Sequence, residues 1–394
     1  MKRLIFFSII SLMSLVGSMG KATAQMPLSP TAKASVLTCG PGDDFYTTFG
    51  HSALRICDTA TGLDVVYNYG TFDFNTPHFY WKFMRGQLDY RLSRSSYAFF
   101  MREYSEEGRE VREQVLQFSP MQVANLFLLM EQNYLPEYRY YRYDFFRDNC
   151  ATRIRDMVYN AWAHDTLLTR TTSTNTYRRM VTDNLKGTLE WWSLGIDMLF
   201  GLPTDHRCSA PERMFLPNEM EAELAHCSTS VALPTPYITA PSKVINSASR
   251  QPLSHSFPPV VAFALVIVLF ALLSLLERRH KFRVSPLNIL DRTMFILAGV
   301  LGCFLFFMWF GTDHWCTKWN LNVLWASPLL ILIAIRMWRS PRWALWLQEV
   351  CFLAAAVWVL WCGLSLAIFL LIILMAWRVA MLLSCKSGDE AHRH

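Results

Sequence analysis

In the stretch YDFFRDNCATRIRD, from Tyr143 to Asp156, a single cysteine stands behind an aspartate and an asparagine and ahead of two arginines. Asp148 and Asn149 are both strong helix N-cap residues, and Ala151, Ile154, Val158, Ala161 and Trp162 follow at helical spacing. The pattern predicts that Cys150 sits in the first turn of an amphipathic helix. Unpaired backbone N–H groups and the positive end of the helix dipole favour a thiolate at such a position, which is where a nucleophilic cysteine belongs. Two other readings compete: a small buried hydrophobe, or half of a disulfide.

A nucleophilic thiol needs a base. His51, His78, His164, His206 and His226 lie in the first part of the chain, before a Ser/Thr/Pro-rich stretch that begins near residue 231. His51 opens a β-rich run directly after Gly50, flanked by Thr47, Thr48 and Ser52, whereas the others lie in polar, loop-like contexts. A lone histidine on a strand is most often structural, but one sharing a domain with a capped cysteine becomes the candidate base. A third group should orient the imidazole. Asn68, Asp64 and Asp73 lie on or beside the neighbouring strand, and Asn68 is preferred because it falls within it.

The same region holds Cys39, Cys57, Cys150, Cys208 and Cys227, an odd number, so pairing in an oxidising compartment leaves at least one thiol. Pairing by proximity, Cys39 with Cys57 and Cys208 with Cys227, leaves Cys150. No CxxC or HExxH spacing occurs, so no metal site is expected, and no P-loop, GxGxxG or GxSxG is present. The residues imply thiol chemistry and no cofactor.

These residues need elements to hold them. GHSALRI (50–56) and DVVYNYGTF (64–72) read as an antiparallel hairpin, and EVREQVLQF (110–118) as a further strand. Ser119-Pro120-Met121-Gln122 supplies an N-cap, a proline at the first helical position and a capping-box glutamine, which predicts a helix over 120–132.

The chain as a whole is 394 residues long and 52% hydrophobic, with its apolar residues segregated. Lys2 and Arg3, an apolar run from Leu4 to Val16, and Ala22-Thr23-Ala24 read as a signal peptide over 1–24, the alternative being an uncleaved anchor. A domain over 25–230 follows, then a Ser/Thr/Pro-rich linker over 231–256 expected to be an extended tether. Five apolar segments, 257–276, 290–311, 321–337, 343–361 and 363–383, each approach the length of a bilayer span, and a tail over 384–394 closes the chain. Lys/Arg-rich turns after the first and third spans place those turns and the C-terminus in the cytoplasm, with residues 25–256 outside, in agreement with the signal peptide. Membrane topology accounts for much of the net charge of +6, which therefore gives no argument for nucleic acid. Trp191, Trp192, Leu194, Met198, Leu199 and Phe200 form a stretch that suits either the membrane interface or a core.

A histidine strand that precedes a cysteine helix resembles the circularly permuted papain-like (NlpC/P60-like) arrangement, an α+β domain, here followed by an all-α five-helix transmembrane domain. FGHSALRI, VYNYGTFDFNTPHFYWKFMRGQLDY, YDFFRDNCATRIRD, LGIDMLFGLPTDH and MFLP resemble, in order, the signature blocks of the Lnb family of lipoprotein N-acyltransferases of Bacteroides-type bacteria. The resemblance spans nearly the whole mature chain. It implies transfer of an acyl chain, from a membrane phospholipid as donor, to the N-terminal amine of a diacylated lipoprotein. The cysteine of DNCA, Cys150, would be the nucleophile and the histidine of GHSA, His51, the base.

Weaker expectations concern substrate contacts. Asn149 and Arg153 flank the thiol as candidate substrate contacts, and Arg153 with the neighbouring Arg155 suits a lipid phosphate, although a solvated helix face would look the same. Asp313 and His314, in GTDHW, face the same side as the thiol domain and either reach its active site or form an interfacial loop with a Trp anchor. Two further function classes fit the chain: a membrane-anchored cysteine hydrolase of the envelope, or a lipid-handling protein without catalysis.

Overall fold

A computed structural model describes residues 28–162, 175–187, 189–226, 241–245, 257–279 and 285–391. The expected signal peptide, His164, Cys227 and most of the linker lie outside these residues. The first part contains β1 (Lys33–Cys39), β2 (His51–Asp58), β3 (Leu63–Thr71), α1 (Phe79–Arg85), β4 (Asp89–Ser96), α2 (Tyr97–Glu106), β5 (Val111–Val115), α3 (Pro120–Tyr134) and β6 (Tyr140–Arg142). These are followed by α4 (Cys150–Trp162), α5 (Tyr177–Leu185), α6 (Glu190–Leu199), α7 (Ala210–Arg213), α8 (Pro217–His226) and β7 (Ser242–Ile245).

The strands form one antiparallel sheet in the order β6-β4-β3-β2-β1-β5-β7. Alternation decides its two faces. Val36, Leu54, Ile56 and Tyr67 bury one face against Leu126 and Met130 of α3 and Ala151, Ile154 and Val158 of α4. Leu37, Cys39, Ala53 and Val66 bury the other against Phe100 and Tyr104 of α2. The α3 capping box forms as its sequence predicts, with Ser119 Oγ accepting from Gln122 N and Gln122 Oε1 accepting from Ser119 N. Residues 242–245, inside the stretch read as a tether, instead form β7 on the edge of the sheet. Their short alternating run gave no periodic signal in a Ser/Thr/Pro-rich context.

The second part comprises α9 (Pro259–Arg279), α10 (Pro286–Phe310), α11 (Leu329–Arg336), α12 (Arg342–Cys362) and α13 (Leu366–Ala391), within five candidate membrane spans. The third candidate span, Trp315–Arg339, departs from a plain helix. Only Leu329–Arg336 is α-helical, about 12 Å of rise against the ~30 Å of a hydrocarbon core. Its first half is 3₁₀ turns stitched by side-chain amides: Asn322 Nδ2 donates to Asp197 O, Asn320 Nδ2 to Met198 O, and Trp325 Nε1 to Asn322 Oδ1. Irregular backbone at such a depth is tolerated because protein groups, not lipid, satisfy it.

The acceptors Asp197 and Met198 belong to α6, so the two parts are fused. Leu194 of α6 joins the membrane core, Trp191 Nε1 donates to Phe257 O, and Ser365 N donates to Asp197 Oδ2. Trp315 enters the opposite side of the junction, between Phe146 and Tyr177, under the Arg147 guanidinium at 3.7 Å. The ambiguous 191–200 stretch is thus both: Leu194 is core, and Trp191 and Trp192 are exposed beside the membrane helices.

Candidate active site

Cys150 is the first residue of α4, at its unsatisfied N-terminus. Asn149 is the cap: its Oδ1 accepts from Thr152 N at 2.9 Å and Thr152 Oγ1 accepts from Asn149 N at 2.8 Å. The other end of the Asn149 amide donates to Phe145 O and Phe215 O. Every polar atom of this buried side chain is occupied, so Asn149 builds the helix start and has nothing left to offer a substrate.

The sulfur lies where two strands part. The β2–β3 ladder runs only as far as the Leu54–Tyr67 pair, while β1 and β2 stay paired to Cys39–His51. Beyond Leu54 the inner edge of β2 is free, and the Ser52 N–H, together with those of Cys150 and Ala151, lies within hydrogen-bond reach of the sulfur. On the β3 side, Gly70 adopts φ +90°, and a Cβ there would sit 3.7 Å from Cys150 Cβ and 3.8 Å from the Tyr143 ring. A side chain at Gly70 would stand in the space beside the thiol, in a backbone conformation that favours glycine.

His51 immediately precedes Ser52 and is bonded to Asn68, with Nε2 to Oδ1 at 3.2 Å. The amide oxygen can only accept, so Nε2 carries the proton and Nδ1 of the neutral ring holds the lone pair. The alternatives are engaged elsewhere: Asp64 with Arg55 at 2.8 Å, and Asp73 with Asn75 N at 2.9 Å.

Electrostatics differ from the sequence expectation. Burial pushes the Cys150 thiol above its ordinary value, although the three backbone N–H groups and the Arg109 charge pull it down in part. Burial, with the same Arg109 charge, lowers His51 to about 4, against the smaller opposing effect of the Asn68 bond. Desolvation therefore outweighs the helix terminus: burial holds the Cys150 thiol up and the His51 imidazole down, each towards its neutral form.

Arg109 is the group that sequence reading passed over. It is almost completely buried between α2 and β5, with Nε donating to Gly40 O at 2.9 Å, Nη1 paired to Glu107 at 3.0 Å and the guanidinium over Tyr104 at 4.6 Å. Its Nη2 has no hydrogen-bond partner among the described residues. In the string EEGREV it reads as one more surface charge; a glycine turn ahead of a strand was the sole local cue.

The expected Cys39–Cys57 disulfide fails on register, while the Cys208–Cys227 pairing falls on Cys227, outside the described residues. Cys39 faces His51 and Cys57 faces Lys33, at opposite ends of the β1–β2 pair, about 20 Å apart by strand rise. Among the described residues Cys39, Cys57, Cys150 and Cys208 form no disulfide, so elimination by pairing does not single out Cys150. Burial raises Cys39 to about 12, which leaves it inert.

The remaining candidates have other partners. Arg153 forks onto Asp148 at 2.5 and 2.8 Å and stacks over Tyr141 at 3.7 Å. Arg155 donates to Asp156 and to Pro211 O. Asp313 and His314 meet α1 instead of the thiol: Gln87 Nε2 donates to Asp313 Oδ2 at 2.9 Å, Asp313 N to Arg85 O, and His314 Nε2 to Phe83 O at 3.2 Å. Among the described residues no cluster of His, Cys, Asp and Glu could hold a metal ion.

No curated protein and no solved structure matches the chain. Family models do. Residues 21–183 match the Lnb N-terminal periplasmic domain, and residues 251–388 match the Lnb transmembrane domain. The two together take in strands β1–β6, Cys150 and His51, and all five apolar helices, and the chain belongs to the Lnb family.

Proposed function

We propose that this chain is a lipoprotein N-acyltransferase in which Cys150 is the nucleophile, His51 the general base and Asn68 the residue that orients it. The observation that carries the reading is the His51–Asn68 hydrogen bond, which turns Nδ1 into the basic nitrogen one residue from the Ser52 N–H on the Cys150 sulfur. The strand-then-helix order of His51 and Cys150 further supports a permuted papain-like arrangement.

In this reading Nδ1 takes the thiol proton as the sulfur attacks the ester carbonyl of a membrane phospholipid. The oxyanion is met by the N–H groups of Ser52 and Ala151, which already point at the sulfur. Collapse expels the lysolipid alkoxide, which takes the proton from the imidazolium and leaves a thioester on Cys150. The neutral N-terminal amine of a diacylated lipoprotein then attacks the thioester carbonyl, His51 removes the amine proton, and the thiolate leaves and is reprotonated. Transfer outruns hydrolysis where water is kept out and the amine is held in place. The buried sulfur and the fused membrane helices suit both needs. The Lys/Arg-rich turns support a topology with the thiol domain on the outer side of the inner membrane and the C-terminus in the cytoplasm.

The test uses the full chain in detergent with a phospholipid and a diacylated lipopeptide, comparing wild type with Cys150→Ala by intact mass. A peptide heavier by one acyl chain, with a transient acyl adduct on the wild-type enzyme alone, is expected. Free fatty acid with an unmodified peptide would replace the transferase by a lipid hydrolase. Full peptide acylation by Cys150→Ala would remove Cys150 from the mechanism.

A further inference from the structure

Helix α1 leaves Tyr80, Trp81 and Phe83 respectively 79%, 50% and 52% exposed, and Phe74 just before it 58% exposed. Such a cluster is unfavourable in water. The position of α1 gives it a different solvent. Its C-terminal end is fastened to the tip of the second span: Arg85 Nε donates to Gly311 O at 3.2 Å, and Trp81 stacks on Phe307 of α10 at 5.9 Å. Gly86, at φ +69°, ends α1 with backbone bonds to Lys82 O and Phe83 O, and a Cβ there would press on the His314 ring at 3.2 Å. The helix therefore lies where α10 leaves the bilayer, the level at which aromatic rings are favoured.

From α1 the rings continue inward. Phe83 stacks on Phe79 at 6.3 Å, and Phe79 and Phe74 both meet Phe72, at 5.8 and 5.0 Å. Phe72 meets Tyr90 at 5.3 Å, and Tyr90 lies on Tyr143 at 4.4 Å. Tyr143 borders the gap left by Gly70 beside Cys150. An aromatic row thus joins the membrane end of α10 to the thiol, with its polar end at the sulfur and its most exposed rings at the bilayer.

We propose that this row seats the hydrocarbon chain of the phospholipid donor, with the ester at Cys150 and the chain running past Tyr143 and Phe72 to α1 and the bilayer. The assignment rests on the transferase reading for its ester end. The chain, not the headgroup, is what rings recognise: from Phe79 to Tyr143 the row is a run of ring contacts, and the cations of α1, Lys82 and Arg85, lie at its membrane end, away from the ester.

The full-length Cys150→Ala protein in phospholipid vesicles would be irradiated with a phospholipid carrying a diazirine midway along one acyl chain, and the adducts mapped by peptide mass. Adducts on residues 72–83 and on Tyr143 are expected. Adducts confined to the spans would overturn the proposal, as would labelling of the row by a diazirine-bearing diacylated lipopeptide alone, which would assign it to the acceptor. In a Cys150-bearing background, Phe74→Asp should slow acylation of the thiol at sub-saturating long-chain phospholipid about tenfold, the loss shrinking as the donor chain is shortened. A loss independent of chain length would mean that Phe74 supports the fold and not the chain. Labelling without any thiol adduct on the Cys150-bearing protein would leave the lipid seat standing and remove the transferase reading instead.

Discussion

At Cys150 two effects of opposite sign meet, and their balance decides how the thiol behaves at rest. The N–H groups of Ser52, Cys150 and Ala151 stabilise a thiolate, while the apolar wall around them penalises any charge, and the penalty is the larger. His51 is subject to the same penalty and to Arg109 as well, which brings it to about 4. A pre-formed thiolate–imidazolium pair would need both values reversed. Alkylation of Cys150 by a neutral electrophile should therefore climb with pH between 6 and 9, without a plateau; a plateau beginning near pH 4 would establish the ion pair instead. A stability consequence follows with a fixed sign. The folded value of about 4 is below the ordinary 6.5, so between these values the unfolded chain binds a proton that the folded one refuses. The contribution is fully present above 6.5 and is lost as the pH falls towards 4. Thermal unfolding of wild type should weaken over that window more than unfolding of His51→Gln, and equal weakening would mean that His51 titrates normally in the fold.

The element that presents the thiol depends on Asn149 more than on any charge around it. One amide caps α4 and also ties Phe145 and Phe215, residues otherwise joined only through aromatic packing, to the helix start. Removing a cap costs about 1 kcal/mol, and two buried carbonyls left without donors add a further ~1–3 kcal/mol each. Asn149→Ala should thus lower unfolding stability by roughly 3–7 kcal/mol, measured by thermal or denaturant unfolding. Asn149→Asp, which keeps the capping oxygen and loses the donors, should fall between the two, and an Asp variant as weak as Ala would place the whole effect in the carbonyls. That α4 would start here was legible, because a cap and a 3.6-residue apolar period are written within a dozen positions. So were the α3 capping box and the placing of His51 and Asn68 on consecutive strands, although their side-chain bond forms beyond the last ladder pair, Leu54 and Tyr67. Arg109 was not legible: its burial comes from the packing of α2 against the sheet. Nor was the role of Asp313 and His314, whose partners on α1 lie more than two hundred positions away in the chain. Sequence proximity misled outright for Cys39 and Cys57, because an antiparallel pair can hold neighbours in sequence at opposite ends.

On the scale of the molecule, the thiol domain and the membrane helices are joined by α6, by the 3₁₀ turns after α10 and by the grip on α1. That fusion places demands on the spans, which must hold a fixed arrangement around a broken third segment. A buried ion pair helps to set it: Arg378 of α13 forks onto Asp291 of α10 at 2.8 and 2.9 Å and reaches Ser274 of α9 at 3.3 Å. Three helices meet at one guanidinium. The pair lies near the start of α10, some nineteen residues and about 29 Å of helix from the Phe310 end that carries α1. Its work is therefore expected to be architectural. Arg378→Met would strand the Asp291 carboxylate in an apolar surround, and breaking such a pair costs about 3–5 kcal/mol. Removing both charges, Asp291→Leu with Arg378→Met, relieves the desolvation along with the attraction and should recover most of the loss. Thermal unfolding in detergent would show the single variant well below wild type and the double variant close to it, with acylation of Cys150 following stability in both. A double variant that is stable yet slow to acylate would show instead that the charges act on the reaction, through the helices that hold α1 at the membrane surface.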